Sequence, residues 1–356
     1  MATDLTGGLD DEREYVFAAQ PDDPDMRESV NVWVWDNGTE LGMPRIGVEA
    51  SGNQWETHDN QVNIAFANGR VLNIFAPGKV HNPIGADGNP RILGAGPLSF
   101  ELIEPFKYWR LHLDGEATET SSQAQIEGWQ PGENTGELVP VKLDLEIKSA
   151  VPPWEQGALL EDARHIMQTQ EEGDLIGPPR FEQLFRTTGT LRVGDNEVYE
   201  INGGGLRIRR QGIRRLTAFR GHVWQSSLFP SGRAFGLLTY PPRKDGKPTF
   251  NEGFIFEGDG QLTPARVVSA PWLDDLAPSG QDATVVLQTE DGATHTIGGK
   301  TLVATCMVMG PRISDWTAQS TGNTPSFALQ QSIVRYTWDG EAGNGMMERS
   351  RITNAG

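Results

Sequence analysis

Residues 62–75 read VNIAFANGRVLNIF, and this stretch decides the fold class. Val62, Ile64 and Phe66 alternate with smaller or polar residues, as on a strand that buries one face. Asn68-Gly69 can supply the two positive φ angles of a type I′ turn, after which the alternation resumes. The stretch therefore predicts an antiparallel β-hairpin.

The same alternation, interrupted by a glycine-containing turn, recurs along the chain. It is found at residues 109–116, 189–201, 254–262, 285–297 and 334–350. Turn chemistry about every ten residues predicts an antiparallel all-β protein, built as barrels or sandwiches, with little helix. The best helix candidate is residues 154–172, although its apolar spacing is irregular. A chain of 356 residues suits two domains. We expect the boundary near Gly177-Pro178-Pro179, which gives domains at 1–178 and 179–356.

The overall charge excludes several classes of partner. A formal net charge of -18 argues against general affinity for nucleic acid or anionic lipid. The N-terminus is acidic and lacks the apolar core of a signal peptide, and no apolar run is long enough to span a membrane. The single cysteine, Cys306, lies in an apolar run and reads as a small buried hydrophobe. We therefore expect a cytoplasmic protein with no membrane span.

Motifs for metals and nucleotide cofactors are absent from the sequence. The six histidines are too far apart to pair at a metal-binding spacing, and there is no cysteine pair. Gly203-Gly204-Gly205 superficially resembles a phosphate loop, but it matches neither GxGxxG nor the Walker pattern. We expect this run to mark a β-bulge or a tight corner. The sequence thus predicts neither a metal nor a cofactor.

An arginine cluster stands out against the acidic background. Residues 203–225, GGGLRIRRQGIRRLTAFRGHVWQ, contain six arginines between Arg207 and Arg220 and no lysine. One explanation is that these arginines pair with the excess carboxylates elsewhere in the chain, since the guanidinium fork binds carboxylate well even when partly buried. The other is an anion clamp for a ligand. A nucleic-acid patch is disfavoured by the charge of the remaining surface.

Several segments resemble one protein superfamily. RFEQLFRTTGTLRVGDNEVYEINGGGLRIRRQGIRR (180–215), RESVNVWVWD (27–36), EPFKYWRLHLDGE (104–116) and RYTWDGEAGNGMMERS (335–350) resemble, in the right order, the AttH-like and carotenoid-hydratase (hydroxyneurosporene synthase) superfamily. This resemblance implies two lipocalin-like β-domains packed together around an apolar ligand cavity. It also implies hydrophobic substrates (isoprenoids, polyketides or aromatic lipids) and cofactor-free hydratase, cyclase or isomerase chemistry.

The chain departs from the superfamily pattern at its polar motif. Against G-x-R-D-H-S-W-G-x-R-D, Arg207, Gly212 and Arg214 match, whereas the first acid and the histidine are replaced by Ile208 and Arg209. If the Asp-His pair supplies the proton in relatives, this chain must use other residues. The local charge is also strongly positive, which favours a ligand with an anionic or oxyanion-forming end.

Three residues are candidates for catalysis. His222 lies on an expected strand after the arginines, whose charge would lower its pKa and leave it neutral as a base. Glu348 matches the closing glutamate of the superfamily, and an apolar cavity would raise its pKa so that it could donate a proton. Tyr336 is a further candidate. A hydrogen-bonded structural histidine, and an ion pair of Glu348 with an arginine, remain open alternatives.

The candidate ligand-binding residues are three arginines for the anionic end of the ligand, two tryptophans for its body, and one glutamate. They are Arg207, Arg209, Arg214, Trp109, Trp224 and Glu182. For any single tryptophan, core packing is the alternative duty.

Three functions compete at this point. The first is a cofactor-free lyase, hydratase, isomerase or cyclase that acts by acid–base chemistry on a hydrophobic molecule with an anionic or oxygenated end. The second is a non-catalytic carrier or sensor of a lipid-like ligand, which the loss of the Asp-His pair favours. The third is a scaffold whose arginines bind an acidic protein. The sequence leaves the oligomeric state open.

Overall fold

The computed structural model describes residues 3–38, 41–130, 136–168, 180–213, 220–309 and 327–352. It is 62% strand and 5% helix, which confirms the predicted all-β class. All named strand pairs are antiparallel. No helix in these ranges is long and apolar enough to cross a membrane.

The first sheet contains eleven strands. They are β1 (Met26–Asp36), β2 (Leu41–Ser51), β3 (Gln54–Phe66), β4 (Arg70–Lys79), β5 (Ile92–Ala95), β6 (Leu98–Glu104), β7 (Tyr108–Ser121), β8 (Leu138–Ser149), β9 (Trp154–Glu155), β10 (Arg180–Val193) and β11 (Glu197–Ile213). Their order is β4-β3-β2-β1-β11-β10-β8-β7-β6-β5, with β9 paired to β10. A further pairing of β4 with β7 closes a ring through β1–β4, β7, β8, β10 and β11.

The remaining strands form a closed barrel in sequential order, here called the C-terminal barrel. They are β12 (Gly221–Leu228), β13 (Ala234–Thr239), β14 (Asn251–Phe256), β15 (Thr263–Ser269), β16 (Val285–Thr289), β17 (Thr294–Met309), β18 (Phe327–Trp338) and β19 (Glu341–Ile352). The described helices are a short 3₁₀ turn (Asp11–Arg13), α1 (Ser122–Ile126) and α2 (Glu161–Met167). Within the described part of 154–172, the expected helix is therefore reduced to the seven residues of α2.

The hairpin predicted at 62–75 is present as β3 and β4, with Val62 opposite Ile74. Its turn differs from the prediction, because Gly69 has a φ of 87° whereas Asn68 is not among the residues with positive φ. The Gly69 amide donates to the Phe66 carbonyl at 2.9 Å. Gly69 thus takes the left-handed position of a three-residue loop, which leaves Asn68 in an ordinary conformation.

The glycine run at 203–205 does not form the expected bulge. β11 pairs with β1 and with β10 in continuous register through these residues. A Cβ atom on Gly205 would lie 2.2 Å from the Phe185 ring and 2.4 Å from the Trp33 carbonyl oxygen. Close packing therefore explains why residue 205 is a glycine.

The hairpin of β10 and β11 belongs to the first sheet, because β10 pairs with β8 and β11 pairs with β1. The chain changes sheet between Ile213 and Gly221. The division after residue 178 stays a prediction. It would separate the β10–β11 hairpin from the sheet to which that hairpin is hydrogen-bonded.

Apolar side chains form a cluster inside each sheet structure and a third cluster between them. The third cluster, here called the interface core, joins Trp33 and Leu206 of the first sheet to Trp224 and Met346 of the C-terminal barrel. The rings of Trp33 and Trp224 meet edge to face with centroids 4.6 Å apart. Polar residues from the two halves of the chain can meet around this contact.

Candidate active site

The candidate site is built on the face of the C-terminal barrel that is turned towards the first sheet. Successive strand residues point to opposite faces. Trp224 and Met346 belong to the interface core, whereas their neighbours Val223 and Met347 belong to the core inside the barrel. By the same alternation, His222 of β12 and Glu348 and Ser350 of β19 face the interface.

A buried histidine–carboxylate pair lies at the centre of the site. His222 Nε2 is 3.0 Å from Glu348 Oε1, and Ser350 Oγ is 2.7 Å from His222 Nδ1. Gln331 donates from Nε2 to the other oxygen of Glu348 at 2.6 Å. An ionised carboxylate can only accept hydrogen bonds, so Nε2 carries a proton here. In neutral His222, Nδ1 is then left to accept from the Ser350 hydroxyl.

The pKa of Glu348 is lowered from its ordinary value. Burial opposes ionisation most strongly, but His222, Arg45 and the Gln331 amide together outweigh it. This direction is opposite to the raised pKa expected from the sequence, and the catalytic role of Glu348 stays a prediction. The apolar surroundings were anticipated, whereas the cluster of donors around the carboxylate was not. His222 contacts this carboxylate, whereas the sequence led us to expect guanidinium groups beside it.

Arg45 reaches the site from an irregularity in β2. The pairing of β2 with β3 shifts register between Gly42 and Ile46, and Arg45 has a φ of 78°. Its Nε donates to Asn31 Oδ1 at 3.2 Å, and its guanidinium carbon lies 6.0 Å from the centre of the Trp33 ring. Sequence reasoning missed Arg45. Pro44, a proline inside an alternating strand, is the signal that could have indicated the bulge.

The first sheet also contacts the pair through a chain of amides. Asn63 donates from Nδ2 to the Pro44 carbonyl at 3.1 Å and, at 3.4 Å, to Gln331 Oε1. Gln331 in turn holds Glu348. Residues from both halves of the chain thus orient the carboxylate, and neither Asn63 nor Gln331 carried a sequence signal.

A second carboxylate lies beside Trp224. The Trp224 indole nitrogen donates to Glu182 Oε2 at 2.8 Å, while Gln156 and Arg180 donate to Glu182 Oε1 at 2.7 and 2.9 Å. Burial raises the pKa of Glu182, although Arg180 and the neutral donors oppose the shift. The Arg180 guanidinium carbon lies 5.2 Å from the centre of the Trp224 ring. Glu182 and Trp224, both predicted site residues, are therefore brought together.

Two buried donors near Trp224 have no hydrogen-bond partner in the described part of the chain. They are the indole nitrogen of Trp33 and Nε of Arg180. Buried polar groups are nearly always paired, so two such donors next to one ring are unusual. Both could donate to an oxygen of a ligand.

The sequence model of one protein family matches residues 10–353. The chain belongs to that family, the domain of unknown function DUF7064. No curated protein matches its sequence. Membership of this family does not define an activity.

The fold of this DUF7064 member is similar to that of solved proteins. One is a protein assigned as AttH from Nitrosomonas europaea, with a TM-score of 0.54, 14% identity and 91% of each chain covered. Another is CghA, solved with Sch210972, with a TM-score of 0.56, 11% identity, and 100% of this chain and 98% of CghA covered. The AttH-like, lipocalin-like fold predicted from the sequence resemblance is thus confirmed.

Arg207 and Arg209 of β11 lie elsewhere in this DUF7064 protein. Arg207 donates to Glu14 Oε1 at 2.6 Å, and Arg209 donates to Glu28 Oε1 at 2.7 Å. All four side chains are buried. They point away from Leu206 and the interface core, because they occupy the alternate positions of the strand. For these two arginines, pairing with the excess carboxylates is the explanation that the geometry supports.

Trp109 and Tyr336, the remaining predicted site residues that the structure describes, do not join His222. Trp109 packs in the interior of the first sheet, where its indole nitrogen donates to Glu14 at 2.7 Å and its ring lies 5.0 Å from the Arg207 guanidinium carbon. Tyr336 faces the inside of the C-terminal barrel, and its hydroxyl donates to Gln225 Oε1 at 2.6 Å. Burial raises the pKa of Tyr336 well above its ordinary value. Arg214 lies outside the described residues.

Proposed function

We propose that this protein is a cofactor-free acid–base enzyme and that His222 and Glu348 move the proton. The observation that carries the proposal is the buried His222–Glu348 contact of 3.0 Å between the two halves of the chain. Such a pair, held away from water beside aromatic rings, can serve as a general base. The fold similarity is compatible with this function but does not define it.

Each residue of the pair has a distinct role. His222 accepts a proton at Nδ1, and the Glu348 carboxylate stabilises the imidazolium that forms, because its lowered pKa keeps it ionised. The Ser350 hydroxyl, 2.7 Å from Nδ1, lies on the path of that proton. It can give its own proton to Nδ1 while it takes one from the ligand. Return of the proton to a different atom of the ligand completes an isomerisation or cyclisation. In a hydration, the pair instead takes a proton from water while the oxygen of that water bonds to one carbon of the ligand, and then gives the proton to the adjacent carbon.

The donors near Trp224 suggest how a ligand is oriented. Trp33 Nε1 and Arg180 Nε are buried and have no partner among the described residues, so each could donate a hydrogen bond to an oxygen of the ligand. Negative charge that develops on that oxygen during proton abstraction would be stabilised by the same donors. The surrounding interface core is apolar. We therefore propose a substrate with a hydrophobic body and an oxygenated end, and we propose that Arg180 takes the role first assigned to Arg207 and Arg209.

A deuterium-incorporation experiment tests the proposal while the identity of the substrate is still open. The purified protein is incubated in D₂O, with no added cofactor, with the apolar metabolite fraction of the organism that encodes it. Liquid chromatography with mass spectrometry then identifies compounds that gain deuterium or the mass of water, or whose retention time changes. We expect His222→Asn and Glu348→Gln to slow this change by about 10²- to 10⁴-fold. Thermal unfolding verifies that both variants are folded.

A matched control is available on the outer surface of the first sheet. His112 Nδ1 lies 2.6 Å from Asp144 Oδ1, and both side chains are exposed. His112→Asn removes a histidine–carboxylate contact of similar geometry and should leave turnover unchanged. Turnover that persists in a folded His222→Asn variant would exclude the assigned base. A ligand that binds and is recovered without deuterium or other change would instead support the carrier function.

A further inference from the structure

The interior of the C-terminal barrel contains a buried arginine without a carboxylate partner. Arg349 of β19 is 3% exposed. Its guanidinium donates to the amide oxygens of Gln281 and Gln330 and, at longer range, to the carbonyls of Pro271 and Trp272. All four acceptors are neutral. Among the residues that the structure describes, no ion pair to Arg349 is formed.

Other buried arginines show how unusual this environment is. Arg207 and Arg209 are equally buried, yet each forms an ion pair with a buried glutamate. Asp274 and Asp282 affect Arg349 only through the longer-range field, and burial lowers the pKa of its guanidinium. A buried cation with neutral acceptors alone is poorly compensated, because neutral dipoles replace only part of its hydration.

Unpartnered polar atoms gather on the same inner face. Nε of Arg349, Nε2 of Gln225 and Oγ of Ser332 are buried and have no hydrogen-bond partner. Gln225 and Ser332 are both aligned with Met347, two residues from Arg349 on the inner side of β19. The three residues therefore occupy adjacent rows of three neighbouring strands, β12, β19 and β18.

The chemistry of these atoms defines the missing partner. Two of the three are obligate donors, and the serine hydroxyl can also donate. A carboxylate offers two oxygens that accept several hydrogen bonds, together with the negative charge that Arg349 lacks. The wall of the barrel beyond this cluster is apolar, with Val223, Phe235 and Leu237 among its residues. An organic acid matches both environments, because its carboxylate suits the polar cluster and its small apolar body suits the wall.

We propose that the inside of the C-terminal barrel is a second ligand site, where Arg349, Gln225 and Ser332 hold the carboxylate of a small organic acid. This site is distinct from that of His222, because β12 and β19 present alternate residues to their two sides. It does not depend on the proposed acid–base activity. Tyr336, whose hydroxyl donates to Gln225, becomes part of this inner site.

The test compares acids with their neutral isosteres. Thermal unfolding is recorded with acetate or benzoate, and in parallel with acetamide or benzamide at matched ionic strength set by sodium chloride. We expect at least one of the two acids to raise the Tm saturably, whereas its amide does not, because only the acid supplies a counter-charge to Arg349. Arg349→Met should abolish the shift.

Two further variants keep the test informative if Arg349→Met fails to fold. Ser332→Ala removes a hydroxyl that has no partner, so the variant should fold, and we expect it to weaken binding of the acid about tenfold. Arg110→Met alters an arginine on the exposed side of β7 and should leave the shift unchanged, which controls for nonspecific anion binding. An acid shift no larger than that of the amide, or a shift that survives unchanged in both Arg349→Met and Ser332→Ala, would overturn the proposal.

Discussion

Replacement of Glu14 by glutamine tests whether the arginine cluster is structural. Glu14 is fully buried, accepts from Arg207 at 2.6 Å and accepts from the Trp109 indole at 2.7 Å. Glu14→Gln keeps the shape but leaves the Arg207 guanidinium buried without a counter-charge. Breaking one side of a buried pair costs about 3–5 kcal/mol. We expect a loss of that size in the free energy of unfolding, measured by denaturant titration with tryptophan fluorescence.

A double-mutant cycle distinguishes the interaction energy of the Glu14–Arg207 pair from a simple loss of packing. Arg207→Met alone leaves Glu14 buried and uncompensated, whereas the double variant Glu14→Gln/Arg207→Met removes both charges. The double variant should therefore be more stable than the sum of the two single losses predicts. Asp114→Asn, which removes the exposed Lys142–Asp114 contact, is the control and should change stability little. Strict additivity in the cycle, or a Glu14→Gln loss below about 1 kcal/mol, would refute the reasoning.

Three further predictions concern single groups. Burial raises the pKa of Cys306 to about 12, so iodoacetamide at pH 8 should label it in denaturant but not in the native protein, and rapid native labelling would contradict its buried position. Glu252 accepts from the Trp154 indole and from three backbone amides of residues 157–160. Glu252→Gln should therefore destabilise the protein by about 1–3 kcal/mol and speed hydrogen exchange in that segment, whereas unchanged exchange would argue against the anchor. The lowered pKa of Glu348 adds stability that is fully present above the ordinary value of 4.5 and is lost as pH falls through the folded-state pKa. The Tm difference between wild type and Glu348→Gln should consequently stay constant from pH 7 down to 4.5 and shrink as the pH falls below that value, and a difference that stays constant below 4.5 would contradict the shift.

The fold class was predictable because its signals are local. Alternation around a glycine turn is contained within a dozen residues, as in the hairpin at 62–75, and does not depend on distant partners. The place of β11 beside β1 was not predictable in this way. Val32 lies opposite Arg207 in that pairing, and only the packed structure brings together segments so far apart in sequence. For that reason the sequence did not predict that the β10–β11 hairpin, which directly follows the predicted boundary, pairs within the first sheet.

Some residues of the candidate site were recognisable in the sequence, but their arrangement was not. His222 and Glu348 were each recognisable, yet their contact joins positions 126 residues apart. Arg207 and Arg209 lie close to His222 in sequence but not in space, since they point into the first sheet. Arg45 fills part of that electrostatic role from β2. Proximity along the chain was a poor guide because strand alternation separates neighbours onto opposite faces.

That same alternation explains why one strand carries two different polar sites. Glu348 and Arg349 are adjacent in sequence and opposite in charge, but β19 directs them to opposite sides of the barrel wall, so they do not pair with each other. Each charge must find a partner on its own side. Glu348 has His222, Gln331 and the field of Arg45, whereas Arg349 has only neutral acceptors among the described residues. On the interface face, the charge of Glu348 is thus compensated within the protein, as the proposed proton transfer requires. The inner face is incomplete and suited to binding an anion.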